Sequence, residues 1–390
     1  MSFVIFGDLF SFPEGYAAAN RVHCYAKGIS ESGISVHVIC FSNEYLPVSR
    51  GVADRTHYYY PFNQEKRSKY FVARRWKKFL KYINTLLLFH SINKEEKITG
   101  INLWTTSSLT FIFGWLLSVI FHSKLLVECS EHPLRNYQGG ILRKMTGMMK
   151  FYFEAWLCDG VLCISDYIFE LYSKSGIKRQ KLAVIPSTVD PSRFCIAGTR
   201  PVPYRYLGYF GSLSLGRDNV GLLLKAFAVI RDQFPGLHLI LGGYFQDTNE
   251  RESIHNLIHE LRIESDTEIV EGLSRQEIIG YIKHAEILVM VRGDDMESRA
   301  SFPSKLTEYL TVSKPVITVN VGEISNFLKD GENAYLVPSG DVEEMAEKIK
   351  FIFSHYDTAL KIASNGKKLT DGVFNYKVQS DRILDFLYQL

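Results

Sequence analysis

At 390 residues the chain exceeds what one ordinary hydrophobic core fills, so two domains are expected. Hydrophobic residues make up 46%, enough for two filled cores, which argues against a disordered chain, and a formal charge of +3 argues against a general nucleic-acid binder. Six cysteines, at 24, 40, 129, 158, 163 and 195, include no C-x-x-C pair and fit neither a disulfide framework nor a zinc site, so a reducing cytoplasm is the simplest compartment.

The opening MSFVIFGDLF lacks the basic region and cleavage site of a secretory signal and reads as a strand. A loop with Pro13, Glu14 and Gly15 follows. Then Val22, Tyr25, Ala26 and Ile29 recur at helical spacing before Gly33 and the strand VHVIC, a β-loop-α-β unit. The stretch EKRSKYFVARRWKKFLKYINTLLLF, residues 65–89, interleaves Lys66, Arg67, Lys69, Arg74, Arg75, Lys77, Lys78 and Lys81 with Tyr70, Phe71, Trp76, Phe79 and Leu80. A basic aromatic helix of this kind suits an anionic bilayer surface; the alternative is a solvated basic face with its aromatics in the core. LTFIFGWLLSVIF, 109–121, is too short to span a bilayer and is expected to be a buried helix. VECSEHPLRN follows a strand and carries Glu128, Glu131, His132 and Arg135.

IPSTVDPSRFCIAGTRPVP, 185–203, is proline-rich and aperiodic, as a linker between domains should be. Beyond it the first pattern repeats. YRYLGYFGS reads as a strand, GSLSLGRDN as a loop, Leu223, Ala226, Phe227 and Ile230 as one helix face, and HLILGG as the next strand. TEIVEG, ILVMV and PVITV are further apolar strands, alternating with helices near 274–284, 304–312 and 341–352. The expected fold is α/β, with two doubly wound Rossmann-like domains facing each other across a cleft that holds the active site. The expected boundaries are 1–190 for the first domain and 204–370 for the second, with 371–390 a helix packing back on the first.

SFPSKLTEYLTVSKPVI, 301–317, marks a helix start at Ser304, whose hydroxyl suits an N-cap, and puts Glu308 four residues on, on the same face. The N–H groups and dipole of a helix start form an anion site, while Glu308 offers acceptors to hydroxyls. Phosphate followed by sugar hydroxyls is the order of a nucleotide sugar; the alternative is a capped surface helix with a solvated glutamate.

FPEGYAAANRVHCYAKGISESGISVHVI, DGVLCISDYIFELYSKSGIKRQKLAVIPSTVDPSRF, YLGYFGSLSLGRDNVGLLLKAF and FPSKLTEYLTVSKPVI, in this order, resemble the retaining GT-B glycosyltransferases of family four, common in bacterial capsule, lipopolysaccharide and exopolysaccharide assembly. The resemblance covers most of the chain. It implies that Glu308 bonds the ribose and that Ser304, Lys305 and Leu306 form the phosphate-side loop. It also implies that Gly15 lies in the glycine loop near the donor, and that His132, with Glu131 second, approaches the donor sugar. Gly211, Ser212 and Arg217 fall in the phosphate-binding loop, where the family commonly carries an arginine near Ser212 and a lysine near Arg217. The base is expected near Glu271 and Gly272. The family's first glutamate is missing: eight residues before Glu308 stands Ala300, with Asp294, Asp295 and Glu297 as the nearby acidic candidates.

The implied activity is metal- and cofactor-independent transfer from a UDP-, GDP- or ADP-sugar to a lipid-linked or oligosaccharide acceptor, on a cytoplasmic protein that sits peripherally on the inner face of the plasma membrane through 65–89. A GT-B nucleotide-sugar 2-epimerase and a non-catalytic nucleotide-sugar-binding protein are the alternatives; nucleic acid is not an expected partner.

Overall fold

The computed structural model describes residues 1–15, 17–137, 139–195 and 199–390, so Ile196, Ala197 and Gly198 of the expected linker lie outside the described residues. The chain divides into one unit of Met1–Thr188 with Tyr376–Leu390 and another of Val189–Asn375.

The first unit runs β1 (Ser2–Gly7), α1 (Ala17–Glu31), β2 (Ser35–Cys40), β3 (Arg50–Ala53), β4 (Thr56–Tyr59), α2 (Phe71–Glu95), β5 (Ile98–Trp104), α3 (Ser108–Ile120), β6 (Lys124–Cys129), α4 (Ile141–Leu157), β7 (Gly160–Cys163), α5 (Asp166–Lys174) and β8 (Leu182–Val184). Its strands lie in the order β3-β4-β2-β1-β5-β6-β7-β8, parallel except for the β3–β4 pair. Strands covered on both faces by crossover helices should be apolar throughout, and every residue of β1 and β7 is buried. On one face Val22, Tyr25 and Ile29 of α1 pack over Phe3, Ile5 and Val38. On the other, Phe6 meets Phe89 of α2 and Phe113 of α3 edge-on.

Two expectations for this unit change. The 109–121 segment is α3, but only one side of it is buried; Leu109, Ile112, Leu116, Val119 and Ile120 are exposed because nothing in the described structure covers the outer side. Lys81 does not join the surface cations of α2. It turns inward, donates to the Phe41 carbonyl at 2.9 Å and sits over the Phe41 ring, and burial pushes its ammonium down to about 8.

The second unit contains β9 (Arg205–Leu213), α6 (Val220–Ile230), β10 (Leu237–Phe245), α7 (Thr248–Glu260), β11 (Thr267–Glu271), α8 (Arg275–His284), β12 (Ile287–Met290), α9 (Met296–Ala300), α10 (Ser304–Thr311), β13 (Val316–Val319), α11 (Ile324–Phe327), β14 (Tyr335–Val337), α12 (Val342–Ser354) and α13 (Tyr356–Asp371). The sheet is wholly parallel, in the order β11-β10-β9-β12-β13-β14. The chain therefore winds outward from β9 in one direction and from β12 in the other. The gap beyond the carboxyl ends of these two strands is the switch point where such sheets bind ligands.

After α13 the chain returns to the first unit as α14 (Tyr376–Gln389), whose Ile383, Leu384, Phe386 and Leu387 complete that core. Three glycines cut the slot it fills. A Cβ on Gly28, Gly100 or Gly160 would come within 2.2, 2.9 and 2.7 Å of Ser380, Leu387 and Phe386 respectively.

Candidate functional site

The second unit's switch point is lined from β9 outward. Gly211 stands near the end of β9, and a side chain there would collide with Lys305, since a Cβ would lie 2.3 Å from its Nζ. The lysine comes from the first turn of α10. That helix is fixed to β9 by Tyr309, whose hydroxyl accepts from the Phe210 N–H at 2.7 Å and donates to the Phe210 carbonyl at 3.2 Å. With the helix held there, Lys305 Nζ donates to the Tyr209 hydroxyl at 2.7 Å and to Asp218 Oδ1 at 3.2 Å. The Tyr209 hydroxyl in turn donates to the Ser212 carbonyl at 2.7 Å. Ser212 Oγ is buried beside it with no hydrogen-bond partner, an exception among buried polar atoms.

Two loops meet beside it. The loop after β9 is held by Glu250 of α7, which accepts from Ser214 Oγ and the Leu215 N–H. It carries Arg217, whose Nε lies 3.6 Å from Glu297 of α9, and its Arg217 carbonyl accepts from the N–H of Gly293 in the loop after β12. Next to Gly293 is Arg292, buried, donating to the carbonyl and hydroxyl of Ser301. β12 pairs with β9 as Ile287 with Leu207 and Leu288 with Gly208. Beyond that pairing the loop carries Gly293 to the Gly216 and Arg217 carbonyls, which brings Arg292 beside Arg217 and Asp218.

Arg217, Arg292 and Lys305 thus converge with Asp218, Asp295 and Glu297 around them. Burial pushes the Arg292 guanidinium down to about 10, and the neighbouring Arg217 adds to this against Asp218 and Asp295. Burial, and then Arg292 and Arg217, also push Lys305 down, opposed by Asp218. Cations that disfavour one another when the site is empty are relieved by an incoming anion. Asp295 is less available than its sequence position implied, because its carboxylate caps α9 through the Ser298 N–H at 2.7 Å; Asp294 holds Arg299 at 2.7 and 2.9 Å. Among the described residues no group of three or more His, Cys, Asp or Glu side chains is arranged to hold a metal ion.

At the start of α10 the sequence reading needs one correction. Pro303 takes the N-cap position with no side-chain capping bond, and Ser304 is the first helical residue. Leu306 is fully buried in the core and its N–H bonds the Pro303 carbonyl, whereas helix geometry gives the Ser304 and Lys305 N–H groups no intrahelical acceptor. One turn on, Glu308 keeps 17% of its side-chain surface and lies 3.7 Å from Arg193, which a 3-10 turn at Pro191–Phe194 delivers from the linker. Burial pushes its carboxyl up, while Arg193, Arg275 and Lys305 pull it down. Gly272 follows β11 in the left-handed region at φ 70°, a conformation that favours glycine, and Glu271 beside it pairs with Arg251 at 2.6 Å.

Gly15, Glu131 and His132 belong to the first unit. Gly15 follows β1, where a Cβ would meet that of Ala19 at 2.7 Å. Glu131 and His132 follow β6. Glu131 pairs with Arg135, and the buried His132 accepts from the Leu134 N–H through Nδ1 at 3.2 Å. The loop springs from a rigid base: Arg21 of α1 reaches Glu128 Oε1 at 2.9 Å and the Ile185 and Pro186 carbonyls.

Sequence reasoning missed Arg292 and Arg193. Arg292 follows an apolar strand directly, in ILVMVR, and a charge at the carboxyl end of a buried parallel strand is the signal that marks it. Arg193 carried no signal within an aperiodic linker.

Two doubly wound Rossmann-like units in one chain constitute the GT-B architecture of glycosyltransferases. Comparison with known proteins agrees: the family model for glycosyltransferase family 4 matches residues 18–193, and that for glycosyl transferases group 1 matches 199–369. The chain belongs to this family of GT-B glycosyltransferases. Among curated relatives it is 21% identical to the trehalose synthase of Pyrococcus horikoshii, over 57% of each chain. It is 23% identical to the lipopolysaccharide core biosynthesis glycosyltransferase LpsE of Rhizobium meliloti, over 59% of this chain and 64% of that one. The matched part thus spans about 57–64% of these relatives' length. Among solved structures, Anabaena HepE in complex with UDP and glucose superposes over 100% of both chains, with a TM-score of 0.73 at 17% identity.

Proposed function

We propose that the chain is a retaining glycosyltransferase that moves a sugar from a nucleoside-diphosphate sugar to a saccharide acceptor, lipid-linked, in cell-surface polysaccharide assembly. The observation that carries this reading is the convergence of Arg217, Arg292 and Lys305 at the switch point, with Glu308 one turn along the same helix. The cations and the Ser304 and Lys305 N–H groups hold the diphosphate, and Glu308 takes the ribose hydroxyls. Arg292, beside Arg217 and Asp218, stands in for the arginine that the family commonly carries near Ser212. Gly272 is assigned to the base, and His132 and Glu131 to the sugar, as the resemblance to the family implies.

In the transfer, the bond from the sugar's anomeric carbon to the diphosphate oxygen breaks and a bond to the acceptor oxygen forms on the same face. The acceptor's proton passes to the departing phosphate oxygen. Stabilising that oxygen is the main catalytic task, and preorganised cations do it without a metal ion. Glu297, drawn to Arg217, is the carboxylate nearest to the role of the glutamate replaced by Ala300. No helix among the described residues is long and apolar enough to cross a membrane, and contact with a lipid-linked acceptor is assigned to the basic segment 65–89.

The test is nucleotide release from UDP-, GDP- and ADP-sugars, first alone and then with a lipid-linked saccharide. Acceptor-dependent release supports transfer. Epimerised donor without acceptor overturns it in favour of a 2-epimerase, and binding without turnover in favour of a non-catalytic protein.

A further inference from the structure

The first unit's outer helices carry an apolar surface that its fold does not use. α2, α3 and α4 cover one face of the sheet side by side, joined by the Tyr82–Phe113 and Phe89–Phe121 contacts and by packing of α3 on α4. Each buries one side and exposes another that is also apolar. On α2 the exposed row is Val72, Trp76, Phe79, Ile83 and Leu86; on α3 it is Leu109, Ile112, Leu116 and Val119; on α4 it is Ile141, Met145, Met149, Tyr152 and Trp156. Steps of three and four keep every row on one helix face. The exposure is extensive, reaching 78% for Ile141 and 74% for Trp156. Of 32 large apolar side chains exposed among the described residues, 19 lie on these three helices. Soluble monomers rarely leave apolar patches of more than a few hundred Å² open.

Charge identifies what covers this face. With Lys81 turned inward, α2 holds five outward basic residues against one acidic, α4 three against one, and α3 none, so the layer's outer side carries +6 in a chain whose total is +3. A second copy meeting this face across a two-fold axis would bring the same positive surface against itself. A bilayer with anionic headgroups matches both properties, taking the apolar rows below and the cations at phosphate level.

We propose that the outer face of the α2–α3–α4 layer lies on an anionic membrane, with the α4 row of Met149, Tyr152 and Trp156 and the neighbouring Phe153 inserted at the headgroup–acyl boundary. This extends the reading of segment 65–89 and rests on it for the α2 part only. α2 supplies long-range attraction through Arg74, Arg75, Lys77 and Lys78, while α4 supplies salt-resistant insertion.

The experiment is cosedimentation of the full chain with phosphatidylcholine vesicles with and without phosphatidylglycerol, at physiological salt and at about 1 M, where attraction between exposed charges fades within roughly 3 Å. Two variants are compared, one with Met149→Ser, Phe153→Ser and Trp156→Ser, the other with Gln at Arg74, Arg75, Lys77 and Lys78. All these side chains lie outside the core, and thermal midpoints confirm that both variants fold. The parent is expected to partition to anionic vesicles and keep part of that binding at high salt. The α4 variant should lose roughly a hundredfold in partition and all of the salt-resistant fraction. The α2 variant should lose the salt-sensitive fraction. Quenching of parent fluorescence by brominated lipid should fall on Trp156→Phe. If the α4 variant sediments like the parent while the α2 variant is released, the insertion proposal fails and the 65–89 reading stands. If the parent ignores anionic vesicles, both fail. A dimer in lipid-free ultracentrifugation that the α4 variant dissolves assigns the face to a second copy and overturns the proposal.

Discussion

Replacing Glu308 by alanine separates the nucleoside part of donor binding from the phosphate part. The carboxylate keeps 17% of its surface and faces Arg193 at 3.7 Å, with Arg275 and Lys305 nearby. A hydrogen bond from a ribose hydroxyl to a carboxylate so poorly reached by water is worth about 1.5–3 kcal/mol. The pair with Arg193, 3.7 Å apart, is too long for a hydrogen bond and is a smaller term in the free protein. The net expectation is a loss of about 1–3 kcal/mol, or roughly five- to 150-fold in Kd for the nucleoside-diphosphate sugar. α10 remains anchored to β9 by Tyr309, so the thermal midpoint should hardly move. Calorimetric titration with the sugar nucleotide and with inorganic pyrophosphate reads both parts. Pyrophosphate has no ribose, and its affinity should be unchanged or tighter once a negative charge is gone. Unchanged sugar-nucleotide affinity, or an equal loss for both ligands, would refute the assignment.

The phosphate side is tested by Lys305→Met, which should lower kcat/KM by about 10²–10³ through loss of charge stabilisation on the leaving diphosphate. Arg292→Gln should weaken pyrophosphate and donor binding together, and full affinity in calorimetry would remove it from the site. Turnover should survive excess chelator; abolition reversed by added magnesium or manganese would send attention to Asp294, Asp295 and Glu297. His37 gives a pH signature in the first unit. Burial, and then His57, push its imidazole down to about 4 from the ordinary 6.5. The unfolded chain therefore binds the proton first, so the stability is whole above about pH 6.5 and is lost as pH falls through 4, up to about 3 kcal/mol. Urea denaturation across that window should show the loss in the parent and not in His37→Phe.

The regular elements were legible because their signals are local. YRYLGYFGS, TEIVEG, ILVMV and PVITV became β9, β11, β12 and β13, and the helices expected near 274–284, 304–312 and 341–352 became α8, α10 and α12. α8 carries a full capping box between Ser274 and Glu277, a strong local start signal. What escaped depends on long-range register. Arg292 reaches Arg217 and Asp218 only because β12 pairs with β9, and Arg193 reaches Glu308 only because a proline-started turn redirects the linker. The burial of 109–121 was overestimated for a related reason. Hydropathy reports that a segment avoids water but not which neighbour shields it, and on α3 the outer side has no such neighbour among the described elements.

The return of α14 to the first unit makes the second an insertion, with consequences for the order of assembly. The two crossings lie together, with the Val189 N–H bonded to the Phe374 carbonyl and Val189 bridged to Asn375. Every residue of the second unit's core lies between those points, so that unit can close while the rest of the chain is still being made. The first unit, begun earlier, must wait with an open slot bounded by Gly28, Gly100 and Gly160 until the residues after 375 emerge. During synthesis the half translated first is therefore the half finished last.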